Sequence, residues 1–176
     1  EDVCELDVTE ASYGLGPFDA VDLGSPLLDD GAEVLVQQGE ITDLSQHHWY
    51  VIQTEDNVIA DIESGRNGYH FQAKFTQGAE GYRMTVYRND YIPSAAECAH
   101  DDGTTEYSDY YVDTEHPGLV DPQACAGPDV EGMNECEDMG TLYFIEVYRV
   151  DAEDDCGVYQ LSVGNGDVDL VVEPEE

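Results

Sequence analysis

Tyr69-His70-Phe71-Gln72-Ala73-Lys74-Phe75-Thr76 alternates without a break between apolar and polar side chains, and that period of two decides the fold class. Successive side chains of an extended strand point to opposite faces. Tyr69, Phe71, Ala73 and Phe75 therefore make one buried row, and His70, Gln72, Lys74 and Thr76 one solvated row. The pattern recurs outward in both directions. Cys4, Leu6 and Val8 alternate with Glu5, Asp7 and Thr9, and strand-like segments follow at 33–37, 48–54, 57–62, 82–88, 141–150, 158–163 and 168–172. Turn residues punctuate them at Gly39, Asp56-Asn57, Asn67-Gly68, Gln77-Gly78 and Asn165-Gly166. No segment carries a helical stripe. Many short strands with frequent turns predict an all-β fold, an antiparallel β-sandwich of jelly-roll-like type. Its expected core is Trp49, Val51, Phe71, Phe75, Met84, Val86, Tyr143, Ile145, Val147, Tyr159, Leu161 and Val163.

At 176 residues the chain is one domain, 1–176, large enough for a single core. One stretch interrupts the rhythm. Residues 93–140 hold three of the five cysteines, four of the seven prolines, the tyrosines Tyr107, Tyr110 and Tyr111, and many acids. A loop of this length is uncommon unless functional or cross-linked, so it reads as an ordered insertion on the sandwich, stapled by a disulfide.

Charge bounds the function. Forty-one Asp and Glu stand against five Lys and Arg, a formal net charge of −36. Nucleic-acid binding rests on Lys and Arg that displace condensed counterions, and an anionic membrane surface is excluded for the same reason. The compatible partners are cations, neutral polymers or further copies of the chain. The 41% hydrophobic content and twelve tyrosines exclude a disordered acidic tail, so the acid belongs on the surface of a folded body. Adaptation to high salt would also account for an acidic surface with a single lysine, Lys74. No apolar run approaches the roughly 18 residues that cross a bilayer, so no membrane insertion is expected. The opening Glu1-Asp2-Val3-Cys4 is no signal peptide and reads as the start of a processed chain.

Cys4, Cys98, Cys125, Cys136 and Cys156 show neither a Cys-x-x-Cys pair nor zinc-finger spacing. Disulfides are the better reading, and they place the protein outside the cell. The staple of the insertion falls among Cys98, Cys125 and Cys136. An odd count leaves one thiol buried or paired between chains.

Catalytic chemistry has no signature here. No Gly-x-Ser-x-Gly elbow exists, nothing singles out two carboxylates from forty-one, and His47 and His48, adjacent on a strand, point to opposite faces and cannot chelate one metal. Calcium is the chemical proposal with most support, since it takes six to eight oxygen ligands and clustered acid supplies them. Asp151, Glu153, Asp154 and Asp155 cap the apparent hairpin between two strands; Asp101 and Asp102 are a second cluster. No cluster has EF-hand spacing.

Two segments resemble the bacterial pre-peptidase C-terminal domain. The first runs from Gly39-Glu40-Ile41 through His48-Trp49-Tyr50-Val51-Ile52 to Met84-Thr85-Val86-Tyr87-Arg88-Asn89-Asp90. The second is Gly140-Thr141-Leu142-Tyr143-Phe144-Ile145-Glu146-Val147 followed by Gly157-Val158-Tyr159-Gln160-Leu161-Ser162-Val163. Together they cover roughly half the chain, with motifs that any sandwich core requires. His48 stands where the family has aspartate, and residues 93–140 have no counterpart in its short loop. The resemblance implies a secreted, non-enzymatic β-sandwich module, calcium-dependent in some members.

The expectation is accordingly an extracellular structural or adhesive module, the self-assembling subunit of a fibre being its most specific form. Val3, Cys4, Leu6 and Val8 at one end and Leu170 and Val172 at the other are the expected assembly strands, because edge strands pair through backbone bonds indifferent to charge. The alternative is a calcium-dependent carbohydrate- or polymer-binding module, with Tyr107, Tyr110 and Tyr111 as exposed stacking surface for a polysaccharide.

Overall fold

The computed structural model describes residues 13–29, 32–55, 57, 59–60, 63, 67–89, 97–113, 133–135, 140–150, 157–166, 168 and 170, with backbone alone at 67–70, 97–102, 109–113 and 133–135. Eleven strands form two sheets: β1 (Val21–Asp22), β2 (Leu27–Leu28), β3 (Val34–Glu40), β4 (His47–Glu55), β5 (Asn67–Gln77), β6 (Tyr82–Arg88), β7 (Glu97–Thr104), β8 (Glu106–Asp113), β9 (Met133–Glu135), β10 (Leu142–Arg149) and β11 (Val158–Asn165). The first sheet runs β1-β4-β10-β6-β7, with β2 beside β1 on the same edge of β4; the second runs β3-β11-β5-β8-β9. The sheets are mixed rather than purely antiparallel. Short β1 and β2 lie parallel to β4, and β9 lies parallel to β8.

The sheets face each other across one core, which makes the fold an all-β sandwich. Phe71 of β5 lies flat on Tyr143 of β10, ring centres 3.7 Å apart at 6°, and Tyr107 of β8 meets both edge-on. Each such aromatic, withdrawn from water, contributes about 1.5–3 kcal/mol. Ten of the expected core residues are in the cluster; Trp49 and Val51 are not. On β4 the core takes Tyr50 and Ile52 instead. His48 to Ile52 is large or apolar at every position, so composition does not define the phase of the pleat there, and a one-residue slip exchanges the faces.

Four further expectations are corrected. Residues 93–140 are not wholly an insertion, because β7 and β8 within them are framework strands, one in each sheet. The strand expected over 57–62 is contradicted at its described residues: Ile59 and Ala60, like Glu63 after them, are helical, and the Ala60 N–H donates to the Asn57 side chain, 3.3 Å away. Asn57 is a cap here, a role that competes with strand formation. Strands β10 and β11 are not a hairpin, since they belong to different sheets. Gly39 is not a turn. It lies inside β3, where an added Cβ would stand 2.5 Å from the Tyr159 hydroxyl, so only glycine fits.

Residues 168–172 were expected as a strand, yet Val168 and Leu170 are not in one. After β11 the chain reverses at Gly166, at φ 95°, a conformation that suits glycine. Val168 and Leu170 then fold back over Gly164, whose absent side chain leaves them room. Leu170 is thereby buried in its own subunit, which overturns its assignment as an assembly residue. Among the described residues no helix is long and apolar enough to cross a membrane.

Candidate functional site

Six of the framework strands are poor in acid. Strands β3, β4, β5, β6, β10 and β11 carry three acids, Glu40, Glu55 and Glu146, against four bases, Lys74, Arg83, Arg88 and Arg149. That leaves 38 of the 41 acids and one base, Arg66, for the rest of the chain. The cations serve the fold locally. Arg83 donates to the carbonyls of Ala79 and Tyr82, Arg149 donates to Ile41 O, and Arg88 lies over the Tyr143 ring. These six strands are thus the charge-poor part of a strongly anionic protein, while β7 and β8 carry six acids between them.

The outer face of β3, β11 and β5 carries a hydrogen-bonded ladder of uncharged side chains, with Lys74 and Glu40 beside it. Gln38 Nε2 donates to Gln160 Oε1 at 3.0 Å, Gln160 Nε2 donates to Thr76 Oγ1 at 2.8 Å, and Thr76 and Ser162 share a hydroxyl bond of 3.1 Å. Strand register produces it, because Gln160 stands opposite Gln38, and Ser162 opposite both Val36 and Lys74. Lys74 is tied to Glu106 at 3.5 Å on the surface. The ladder is made of side chains that interact as well with a copy of themselves as with a neutral polymer.

The outer face of β4, β10 and β6 is aromatic around one carboxylate. Trp49 stacks on Tyr87 at 5.7 Å, and the Tyr87 hydroxyl donates to Glu146 Oε2 at 2.8 Å. His47 Nδ1 lies 2.5 Å from Glu146 Oε1, and its ring packs on Tyr148 at 5.4 Å. Trp49 and Tyr87 are nonetheless buried.

Between the sheets lies a polar network that composition did not reveal. The Tyr159 hydroxyl is 2.8 Å from His48 Nδ1 and 2.5 Å from the Tyr50 hydroxyl, and Tyr13 lies flat on the far side of the His48 ring at 3.7 Å. Tyr82 accepts from Ile41 N at 3.1 Å and donates to Gly157 O, which ties the chain entering β4 to the chain entering β11. Burial holds the His48 pKa down at about 4 and pushes Tyr50 up to about 12 and Tyr159 higher still. All three are neutral at physiological pH. A chain in which Tyr50 donates to Tyr159 and Tyr159 to His48 Nδ1 fits that state and leaves only the buried His48 Nε2–H of this network without a partner, so the network is a lock between sheets rather than a nucleophile and base.

Of the expected site residues, Tyr107 is corrected: it is fully buried in the core and offers no stacking surface. Tyr110 and Tyr111 follow on β8, where only backbone is described, and Asp101, Asp102 and Cys98 stand on β7 in the same way. Asp151, Glu153, Asp154, Asp155, Cys4, Cys125, Cys136, Cys156, Val3, Leu6, Val8 and Val172 lie outside the described residues. Among the described residues no three His, Cys, Asp or Glu side chains converge as metal ligands. No family model, curated protein or solved structure matches the chain.

Proposed function

We propose that this chain is a secreted, non-enzymatic structural or adhesive module that makes its contacts through the uncharged surfaces of its sheets. The observation that carries the reading is the uneven placement of charge, with 38 of 41 acids outside the six strands β3, β4, β5, β6, β10 and β11, six of those 38 on β7 and β8. An acidic periphery keeps copies apart and soluble, while the half-exposed Gln38, Gln160 and Thr76 of the ladder, beneath which Ser162 is buried, offer a charge-poor patch. Self-association is the first use of such a patch, a fibre its extended form. Calcium bridging by the acidic clusters and a disulfide staple among Cys98, Cys125 and Cys136 belong to the same reading. So does the likeness to the pre-peptidase C-terminal domain.

A second reading, polysaccharide binding, draws on the half-exposed His47 and Tyr148 rings packed beside Glu146, since Trp49 and Tyr87 are buried and offer no platform. One comparison separates the two. A fibre or adhesion subunit pellets as a large particle on ultracentrifugation and migrates freely through a gel cast with neutral polysaccharide. A binding module stays in the supernatant and is retarded by the gel. A chain that does neither refutes both readings.

A further inference from the structure

Every open sheet must manage its edges, because an unpaired strand is a template for another chain. Three of the four edges here are guarded. The free side of β4 is covered by the N-terminal segment, through Gly14 paired with Trp49 and through β1 and β2. Strand β7 carries Glu97, Asp101 and Asp102, and its pairing with β6 slips twice. Strand β9 is three residues long and ends on Glu135. The fourth edge, β3, ends on Glu40 but is neither covered by another described segment nor interrupted in its pairing. It runs seven residues in unbroken register with β11, and Val34-Leu35-Val36-Gln37-Gln38-Gly39 is uncharged throughout. Its other side receives no strand among the described residues. In a chain where nearly one residue in four is acidic, six uncharged residues along an edge are where a second copy meets least repulsion.

We infer that β3 is the self-association joint: the β3 strands of two copies pair antiparallel across a two-fold axis and fuse the β3-β11-β5-β8-β9 sheets into one. The pairing is isologous, so only the residue on the axis meets its own copy, and every other residue of the strand meets a second position whose copy meets it in turn. Val36, 44% exposed, and Val34 lie on the outer face beside Gln38 and gain apolar neighbours at the seam. Gln38 extends the amide ladder across it. Backbone bonds supply the affinity and are indifferent to the net charge. This inference rests on the self-associating module proposed above and names one contact of it; a two-fold joint alone closes at a dimer, and a fibre needs a second contact elsewhere.

The test is hydrogen exchange on the full chain at low and high protein concentration, with three variants. Val36→Glu and Val36→Lys place opposite charges on the edge, and Leu142→Glu adds an acid at a 39%-exposed position of the other sheet. Residues 34–40 are expected to exchange more slowly only at high concentration. Both Val36 variants should weaken association about tenfold or more, Val36→Lys despite lowering the net charge, and Leu142→Glu should not. Exchange at 34–40 that is independent of concentration, or equal damage from Leu142→Glu, overturns the joint. Association that persists with 34–40 unprotected overturns β3 alone and leaves the broader module reading intact. A chain that never associates overturns the joint, and the polysaccharide gel then judges the broader reading separately.

Discussion

Replacing Tyr159 with phenylalanine removes one oxygen and leaves the ring, yet it strands two polar groups in the interior. The lost hydroxyl bonds His48 Nδ1 at 2.8 Å and the Tyr50 hydroxyl at 2.5 Å, and His48 and Tyr50 are both fully buried. A buried polar atom deprived of its partner costs about 1–3 kcal/mol, so the variant should lose about 2–4 kcal/mol of stability. For a domain of this size that lowers Tm by roughly 5–15 °C. Tyr50→Phe alone should cost about 1 kcal/mol, because Tyr159 keeps His48. The double variant should cost less than the sum, by about 0.5–3 kcal/mol, since the Tyr50 hydroxyl that Tyr159→Phe strands is then gone. Urea titrations at neutral pH, compared at constant m, read all three values. Strict additivity, or a Tyr159→Phe cost below about 0.5 kcal/mol, would show that the network does not lock the sheets.

Other consequences can be checked in the same way. Gly39→Ala drives a methyl against the Tyr159 hydroxyl and ring and should destabilise by about 1–3 kcal/mol; a neutral result would mean that β3 sits farther from β11's buried face. His48 titrates near 6.5 unfolded and about 4 folded, so its contribution is complete above pH 6.5 and is lost as pH falls towards 4. Relative to His48→Gln, the native chain should lose on the order of 3 kcal/mol across that window, carboxylate protonation cancelling in the difference. A difference that does not vary with pH would contradict the burial of His48. Excess chelator at low salt should lower the melting temperature if calcium bridges the acidic clusters, and an unchanged curve excludes that bridge.

The alternating rows of β5, β6 and β11 were legible because each has one apolar and one polar face. Strand β4 was legible as a strand but not in phase, since Trp49 and Tyr50 both suit a buried face and only the partner decides: Trp49 finds Tyr87, Tyr50 finds Tyr159. Tyr107 was misjudged because its neighbours Glu106 and Asp109 signal solvent, although the pleat turns Tyr107 towards Phe71 and Tyr143. The unguarded edge was sought at the termini. Val34–Glu40 reads no differently from an interior strand, because edge position belongs to the order of strands in the sheet, which no local pattern records.

The central claim is that contact is made by uncharged surface and opposed by the acidic periphery, and the sign of its salt dependence tests it most directly. Light-scattering mass should be followed from about 0.1 M to about 1 M NaCl, where the screening length falls from about 10 Å to about 3 Å. The account predicts a mass that rises above the 19.4 kDa of one chain and rises further with salt, as repulsion is screened while backbone and amide contacts persist. A mass of one chain at every concentration and every salt level, or an assembly that dissolves as salt is added, would contradict it.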